Sequence, residues 1–290
     1  MDPKTKKIAA IIVTVIIAAA AYYLYLESEK PRYVKNVAGV QVYSRYPLEG
    51  LANKTSAIGL HTYSAGAETT CNLELSGVLV AGGAVPDRKG YDIQLERAPQ
   101  EIFLDRKGAY IRGETDDELL AACHAFICIR EGLDCPKNLM EIKNVTQKNR
   151  DMVIVLDNRT GRDAVIGFVE LEGVLGYLQA QYADTNGDGT LNQTEVSNNK
   201  YHIYPYLMNG DTCKLMDFKS AIEELNITND TAPCEFRSGI FLQKAKTNGI
   251  AIDGQKIMIT GDDAGIHTGA VIVRDILAPE WIRIFNRANG

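Results

Sequence analysis

The chain has little of the material from which common catalytic sites are built. Only four of its 290 residues are histidine, and none shows a convincing sequence pairing with a nucleophile. The sequence has no Gly-x-Ser-x-Gly elbow, no His-Glu-x-x-His helix and no phosphate-binding loop. These absences argue against the enzymes that those motifs mark. Glycosidases are not excluded, because folding assembles their paired carboxylates and leaves no short motif.

An excess of basic residues is also lacking. The chain has 31 Lys and Arg against 37 Asp and Glu, for a net charge of −6. It shows no basic patch and no aromatic residues set among basic ones, so we expect no nucleic-acid partner. Because 46% of its residues are hydrophobic, the part beyond the N-terminal segment can bury a core in each of two domains.

One long hydrophobic run is present, at residues 8–26. It contains no charge, and at a helical rise of about 1.5 Å per residue it nearly spans the hydrocarbon core of a bilayer. Lys4, Lys6 and Lys7 precede it, so we expect a single-pass anchor in the cell membrane, a cytoplasmic N-terminus and an extracellular remainder. The alternative is a cleaved signal peptide, with residues 18–21 as the cleavage site and a secreted product.

Glycosylation sequons agree with export. Chance would give fewer Asn-x-Thr sequons than the chain has, and all of them lie beyond the hydrophobic run, so we expect a glycoprotein. The sequon asparagines are Asn53, Asn144, Asn158, Asn192, Asn226 and Asn229. Asn192 is expected to stay bare, because a glycan there would compete with the metal-ligand role described below.

The six cysteines also lie beyond the hydrophobic run, and an even number suits disulfides in an oxidising compartment. Cys213–Cys234 is the preferred pair, because these residues flank a predicted helix at 218–225. Cys128 could pair with Cys135, which would leave Cys71 with Cys123. A zinc site at Cys123, His124, Cys128 and Cys135 is the weaker alternative, since the usual knuckle spacing is missing.

The most informative stretch is residues 184–195, Asp-Thr-Asn-Gly-Asp-Gly-Thr-Leu-Asn-Gln-Thr-Glu. Calcium takes roughly six to eight oxygen ligands in proteins, and this spacing gathers them. Gly189 falls where the chain must turn sharply, and Leu191 is the apolar residue that holds the loop on its core. The predicted Ca²⁺ ligands are Asp184, Asn186, Asp188, the backbone carbonyl of Thr190, Asn192 through water, and both carboxylate oxygens of Glu195.

These residues and their spacing resemble an EF-hand calcium loop. Dockerin modules share the Asp-x-Asn-x-Asp-Gly opening, but they contain two copies and usually end the loop with aspartate, where this sequence has Glu195. The resemblance implies one bound Ca²⁺. We expect a structural role for the ion, because a sensor would have paired intact hands and a methionine-rich groove.

A second hand is incomplete. Residues 214–225 resemble the end of an EF-hand loop and its exit helix, with Leu215 placed to pair with Leu191. The preceding residues, 209–213, lack alternating oxygen ligands, so we expect no second ion. A helical hairpin without EF-hand ancestry is the alternative.

An internal comparison indicates how the chain is organised. Residues 57–60 and 73–79 recur as 153–156 and 169–175 at a constant offset. Parts of 93–113 recur within 240–261 at a larger offset. The pattern predicts a tandem duplication whose second copy carries extra residues, roughly 184–235.

We therefore predict an α+β protein with an N-terminal transmembrane helix and tandem β-α-β-β-β-α repeats, the second with a helical EF-hand-like insert. In each repeat a strand and a helix precede three strands and a closing helix. The first repeat has predicted strands at 57–61, 92–97, 101–104 and 109–112 and a closing helix at 116–131. The second has strands at 152–157, 240–245, 249–252 and 256–260 and a closing helix at 264–277, and hairpin turns fall at 107–108 and 253–254. The clearer first helix, at 163–182, has one wide apolar face that includes Ile166 and Val169. The predicted divisions are 1–26 for the cytoplasmic tip and anchor, 27–35 for a charged stalk, 36–135 for the first repeat and 136–290 for the second, with the insert at about 163–235.

Two classes of function remain. The first is a membrane-anchored extracellular calcium-binding protein with a structural, adhesion or partner-binding role, whose partner is a protein or glycan at the cell surface. The second is an exported hydrolase directed at glycans, with Asp105 or Asp253 as catalytic carboxylates. Both aspartates fall at predicted hairpin turns, where the backbone favours this residue, so we expect the first class and no enzyme.

Overall fold

A computed structural model describes residues 3–29, 33–44, 59–64, 72–73, 78–79, 81–82, 100–104, 108–113, 116–147, 151–190, 192–198, 202–217 and 226–278. The helices in these ranges are α1 Pro3–Glu29, α2 Asp116–Glu131, α3 Glu141–Gln147, α4 Arg162–Ala183, α5 Gln193–Asn198 and α6 Asp263–Leu277. The strands are β1 Tyr33–Val37, β2 Val40–Ser44, β3 Gly59–Ser64, β4 Asn72–Leu73, β5 Val78–Leu79, β6 Ala81–Gly82, β7 Gln100–Leu104, β8 Gly108–Gly113, β9 Asp151–Asp157, β10 His202–Asn209, β11 Thr212–Asp217, β12 Asn226–Pro233, β13 Ser238–Lys244, β14 Gly249–Asp253 and β15 Gln255–Gly261.

Strands β9 to β15 form a seven-stranded mixed sheet in the order β12-β11-β10-β9-β13-β15-β14. Its four central strands, β10, β9, β13 and β15, are parallel, and antiparallel strands complete both edges. Covered parallel strands read as continuous apolar runs, as in Ile154, Val155 and Leu156 of β9, which are all buried. The chain leaves β9 through α4 to reach β10 on one side, and β13 lies on the other side. The carboxyl ends of β9 and β13 are therefore a topological switch point.

Helices α4 and α6 pack against each other and share a core with this sheet. Gly167 permits their close approach, since an added Cβ would lie 2.8 Å from the Cβ of Ala270. Helix α6 begins at Asp262, whose carboxylate accepts a hydrogen bond from Gly265 N at 2.8 Å. This N-cap satisfies a backbone donor that the first helical turn leaves unpaired.

Strands β1, β2, β7, β8, β3 and β6, in that order, form a six-stranded sheet. Helix α2 follows β8 and packs against β7 and β8. Ile102 of β7, Ile111 of β8 and Phe126 of α2 are fully buried in one hydrophobic cluster. This cluster also contains residues of α4 and α6, so the helices of both sheets share one core.

The mixed α+β class is confirmed. The helices predicted at 116–131, 163–182 and 264–277 are observed as α2, α4 and α6, within one residue at each end. Strands predicted at 240–245, 249–252 and 256–260 are observed as β13, β14 and β15. The turn predicted at Asp253 and Gly254 joins β14 to β15, and Gly254 has a positive φ of 59°.

The predicted insert is helical only in its first part, where α4 and α5 flank the loop at 184–192. Beyond α5, the described residues form strands β10, β11 and β12, which extend the seven-stranded sheet, so a wholly helical insert is wrong. Residues 214–217, which resembled the end of a second EF-hand loop, lie in β11, and Leu215 pairs with Tyr206 of β10. Leu191 and the helix predicted at 218–225 lie outside the described residues. The described part of the predicted second EF-hand is therefore a strand of the β10–β11 hairpin.

Two smaller predictions are also corrected. The stalk predicted at 27–35 is too long, because β1 begins at Tyr33 and pairs with β2. Ile166 and Val169 were assigned to the buried face of α4, yet they are 39% and 50% exposed. That face is narrower than the sequence indicates and is formed by residues such as Phe168, Leu171 and Val174.

Helix α1 is 27 residues long. Over the stretches of chain that the structure describes, no helix is long and apolar enough to cross a membrane. The anchor predicted at residues 8–26 is therefore not confirmed.

Two disulfides predicted from the sequence are confirmed. Cys213 is bonded to Cys234 and Cys128 to Cys135. Cys123 is disulfide-bonded as well, while Cys71, its expected partner, lies outside the described residues. The zinc alternative needed free thiols at Cys123, Cys128 and Cys135. All three are engaged in disulfides, so a zinc site with His124 is excluded.

Candidate metal centre

The predicted calcium loop connects two helices. Helix α4 ends at Ala183, and the N–H of Asp184 still donates to the carbonyl of Ala180 at 3.0 Å. Helix α5 begins at Gln193 because Asn192 and Glu195 cap it reciprocally. Asn192 Oδ1 accepts from Glu195 N at 3.0 Å, and Glu195 Oε2 accepts from Asn192 N at 3.1 Å. The loop therefore has the helix–loop–helix arrangement that the resemblance implies.

Glu195 ties the end of the loop to its beginning. Its side chain turns inward, and the residue is only 6% exposed. Its Oε1 accepts hydrogen bonds from Thr185 N at 3.0 Å, Thr185 Oγ1 at 3.0 Å and Asn186 N at 3.3 Å. The carboxylate thus lies inside the loop, on the side where a closing ligand belongs.

Asp184 organises the tight turn. Its Oδ1 accepts from Gly187 N at 2.7 Å and its Oδ2 from Gly189 N at 2.8 Å. Gly187 and Gly189 have φ angles of 72° and 76°, a conformation that costs glycine little. The first carboxylate of the loop therefore faces the concave side of the turn.

Asp188 is held differently. Its Oδ1 accepts from Thr190 N at 2.8 Å and Thr190 Oγ1 at 2.7 Å, and its Oδ2 accepts from Asn186 Nδ2 at 3.0 Å. The hydrogen bond from the Thr190 hydroxyl is the largest of the contacts that lower the pKa of Asp188. The backbone N–H of Asn192 has the corresponding effect on the pKa of Glu195. Both carboxyls are thus kept ionised, as calcium ligation requires.

The donors of this loop are of the kind that calcium prefers, because all are oxygens and three are carboxylates. Their present arrangement is not a metal cluster: among the described residues, no group of three or more His, Cys, Asp or Glu side chains could hold a metal ion. Both carboxylate oxygens of Asp188 are engaged by Thr190 and Asn186. The predicted ligands are brought into one loop, and ligation itself stays a prediction.

Sequence reasoning missed a charged cluster at the topological switch point. We call it the carboxyl-edge cluster; it consists of Asp157 at the end of β9, Arg159 after it, Lys244 at the end of β13 and Asp263 at the start of α6. A signal was present, because Asp157 directly follows an apolar strand and paired aspartates open α6. Such signals are common, however, and do not show which residues will meet.

Every member of the carboxyl-edge cluster has a partner within it. Asp157 is 1% exposed, and its Oδ1 accepts from Arg159 Nε at 2.9 Å. The same contact holds the pKa of Asp157 below its ordinary value. Asp263 Oδ1 accepts from Gly161 N at 2.9 Å and Lys244 Nζ at 2.7 Å, and the Gly161 contact is the largest that lowers the pKa of Asp263. The cluster fixes β9 and β13 to the starts of α4 and α6.

The other candidates from the sequence are two catalytic aspartates and the glycosylation sequons. Asp253 is an exposed residue at the β14–β15 turn, and Asp105 lies outside the described residues. Three sequon asparagines, Asn144, Asn158 and Asn192, are exposed. No family model, curated protein or solved structure matches this chain.

Proposed function

We propose that this is a membrane-anchored extracellular protein in which calcium acts as a structural staple for partner binding or adhesion. The observation that carries the proposal is the position of Glu195. Its buried carboxylate returns to Thr185 and Asn186 across the whole length of the loop. The last acidic residue of the loop therefore already lies against the first residues of the loop, as the closing ligand of a calcium site would.

The proposed ligands are Asp184, Asn186, Asp188, Thr190, Asn192 and Glu195. Bound calcium would neutralise the three carboxylates and join the end of α4 to the start of α5. With two asparagines among the ligands, we expect a dissociation constant of about 10⁻⁴ to 10⁻³ M, as in other extracellular modules. Ligand binding to the folded state alone stabilises it by about 2.7 kcal/mol at roughly a hundredfold excess over the dissociation constant.

The proposed anchor is α1. Its described apolar side chains are more than half exposed, including Ile11, Ile16, Tyr22 and Leu24. Soluble proteins rarely leave so much contiguous apolar surface in water, so a bilayer is the environment that we propose for this helix. The lysines before it favour a cytoplasmic N-terminus.

Export is supported by the disulfides. The bonds Cys128–Cys135 and Cys213–Cys234 fit an oxidising compartment. The exposed sequons at Asn144 and Asn158 are accessible to a glycan.

We also propose that the two sheets are related by duplication. In the first, β3 is parallel to β8, and the β7–β8 hairpin leads into α2. In the second, β13 is parallel to β15, and the β14–β15 hairpin leads into α6. The two units differ in that β13 lies between β9 and β15, whereas β3 pairs directly with β8. The predicted counterpart of β13, residues 92–97, lies outside the described residues.

Asp188→Ala tests the calcium proposal directly. We expect the variant to lose more melting temperature in calcium than in chelator. The ligand role acts only through the bound state, and the smaller loss in chelator comes from the hydrogen bonds that Thr190 and Asn186 donate to Asp188. The expected loss in calcium is about 5 °C, measured by circular dichroism. Asp211→Ala is the matched control, since Asp211 is an exposed aspartate in the β10–β11 turn. Equal losses in calcium and in chelator would refute the staple.

The exported hydrolase stays a prediction that nothing tests. The exposed turn position of Asp253 does not favour it. The carboxyl-edge cluster does not favour it either, because Lys244 and Arg159 already engage its carboxylates.

A further inference from the structure

A cleft of about 540 Å³ opens beside the loop that follows β13. Its polar lining residues are Asp134, Lys246, Thr247, Asn248, Thr260 and Asp262. None of the predicted calcium ligands lines it. In open α/β sheets, ligands bind outside the carboxyl ends of the strands, and both the β13 loop and the end of β15 belong to that edge. The volume is within the range of about 300 to 1,000 Å³ that small-molecule sites have.

The backbone fixes one wall of the cleft. Asp134 N donates to the carbonyl of Asn248 at 2.9 Å, and Ile250 N donates to the carbonyl of Asp134 at 2.7 Å. Gly249 makes this approach possible, because an added Cβ would lie 2.8 Å from the Asp134 carbonyl oxygen. Asp134 is thus bound to the edge strand β14 through its main chain. Its carboxylate is not needed for this contact.

The Asn248 side chain is also held in place. Its Oδ1 accepts from Asp262 N at 2.9 Å. Its side chain fills the space above Gly261 and Gly265, where an added Cβ would collide with it. Because Oδ1 accepts from the Asp262 N–H, Nδ2 is the amide atom left to donate, and Asn248 lines the cleft.

Four polar groups at the cleft have no protein partner among the described residues: the Asp134 carboxylate, Lys246 Nζ, Asn248 Nδ2 and the second carboxylate oxygen of Asp262. Two are acceptors and two are donors. The Thr260 hydroxyl, which donates to the Thr247 carbonyl at 3.4 Å, adds a further acceptor. Asn248 is half-buried and the other three residues are exposed, so a ligand in the cleft would replace water at all four groups with direct hydrogen bonds.

We propose that this cleft binds a saccharide unit. Sugar hydroxyls donate and accept, so one neutral ligand satisfies both carboxylates, the amide and the ammonium group. An anion would face two carboxylates. A free amino acid would also match both signs of charge, and titration with glycine and glutamate distinguishes it from a sugar. The proposal deepens the partner-binding role proposed above, and it does not require calcium.

The test is a titration of the purified full chain, in a detergent without sugar headgroups, with glucose, galactose, mannose, N-acetylglucosamine and lactose. Saturation-transfer NMR detects weak binding. We expect at least one of these sugars to bind with a dissociation constant that is roughly millimolar, the range for a ligand of this size. Saturable binding of glycine or glutamate in place of every sugar would overturn the proposal, as would no binding at all.

Asp134→Ala locates the site. We expect it to weaken sugar binding about tenfold, because a charged hydrogen-bond acceptor is lost. Asp253→Ala, an exposed aspartate at the other end of β14 that does not line the cleft, should bind as the wild type does. Unchanged affinity in Asp134→Ala would place the sugar elsewhere and refute the proposal. Titrating the same samples with calcium separates the calcium proposal from the saccharide proposal. If calcium binds and no sugar does, only the saccharide proposal is refuted.

Discussion

Replacing Glu195 with alanine is expected to remove the whole calcium-dependent rise in melting temperature and also to destabilise the calcium-free protein. The first effect follows because a closing bidentate ligand is lost. The second follows because the N–H groups of Thr185, Asn186 and Asn192 lose their acceptor. These hydrogen bonds are partly buried, and losing each one costs free energy, so we expect a fall of about 5 °C in chelator.

Glu195→Gln separates the two roles of this residue. Its amide oxygen can still accept hydrogen bonds from the loop, so most of the stability in chelator should return. Its neutral amide is a poorer calcium ligand than a bidentate carboxylate, so the rise with calcium should stay small. A glutamine variant that responds to calcium as the wild type does would show that Glu195 is a capping residue and not a ligand.

Acid is expected to destabilise the fold through His124. This histidine of α2 is 2% exposed, and neither ring nitrogen has a hydrogen-bond partner. Its Nε2 lies 3.7 Å from Asp275 Oδ2 of α6. Asp275 also accepts from Arg274 Nε at 2.8 Å, and Arg274 Nη1 donates to Glu170 Oε2 at 2.9 Å. Burial, followed by the charge of Arg274, lowers the pKa of His124 from 6.5 to about 3.

Because the pKa of His124 is lower in the folded protein than in the unfolded chain, the free energy of unfolding depends on pH between these two values. Below pH 6.5 the unfolded chain binds a proton at this position, while the folded protein binds one only near pH 3. Stability is therefore lost as pH falls through this range, by about 1.4 kcal/mol per pH unit. Between pH 7.5 and 4.5 the loss due to His124 is about 2 to 3 kcal/mol.

Glu172 opposes this effect. Burial raises its pKa from 4.5 to about 7, so the folded state takes up a proton before the unfolded chain does. Its contribution is present below pH 4.5 and is lost as pH rises through 7. The wild-type profile thus contains two slopes of opposite sign. Comparing His124→Phe with the wild type cancels Glu172, which both proteins retain.

We expect the free energy of urea unfolding of the wild type to fall relative to that of His124→Phe by about 2 to 3 kcal/mol as pH falls from 6.5 to 4.5. His124→Leu gives the same readout if the larger ring does not fit. His202→Phe is the control, because His202 is an exposed histidine on β10. Parallel profiles for wild type and His124→Phe would contradict the assignment of the slope to this residue.

The parts of the fold that the sequence predicted are those governed by neighbours in the chain. Helix α6 could be placed because Asp262 caps it and apolar residues repeat along one face. The loop at 184–195 could be recognised because all its proposed ligands lie in one contiguous stretch. The Asp253–Gly254 turn joins strands that are adjacent in sequence. Local spacing carries each of these signals.

What the sequence did not predict depends on long-range pairing. Residues 214–217 resemble the end of an EF-hand loop that leads into a helix. They form part of β11 instead, because β10 and β12 pair with this strand on its two sides. The carboxyl-edge cluster joins Asp157 to Lys244, 87 residues apart, and Gly161 to Asp263, 102 residues apart. No local pattern indicates these contacts. The cleft at Asn248 is equally non-local, since Asp134 reaches it from the end of α2.

Calorimetric titration of the full chain with calcium, combined with thermal melts in calcium and in chelator, tests the central claim most directly. We predict one site per chain and a clear rise in melting temperature with calcium. Two sites would contradict the assignment of a single intact loop. No heat of binding and identical melts in both conditions would refute the calcium staple itself.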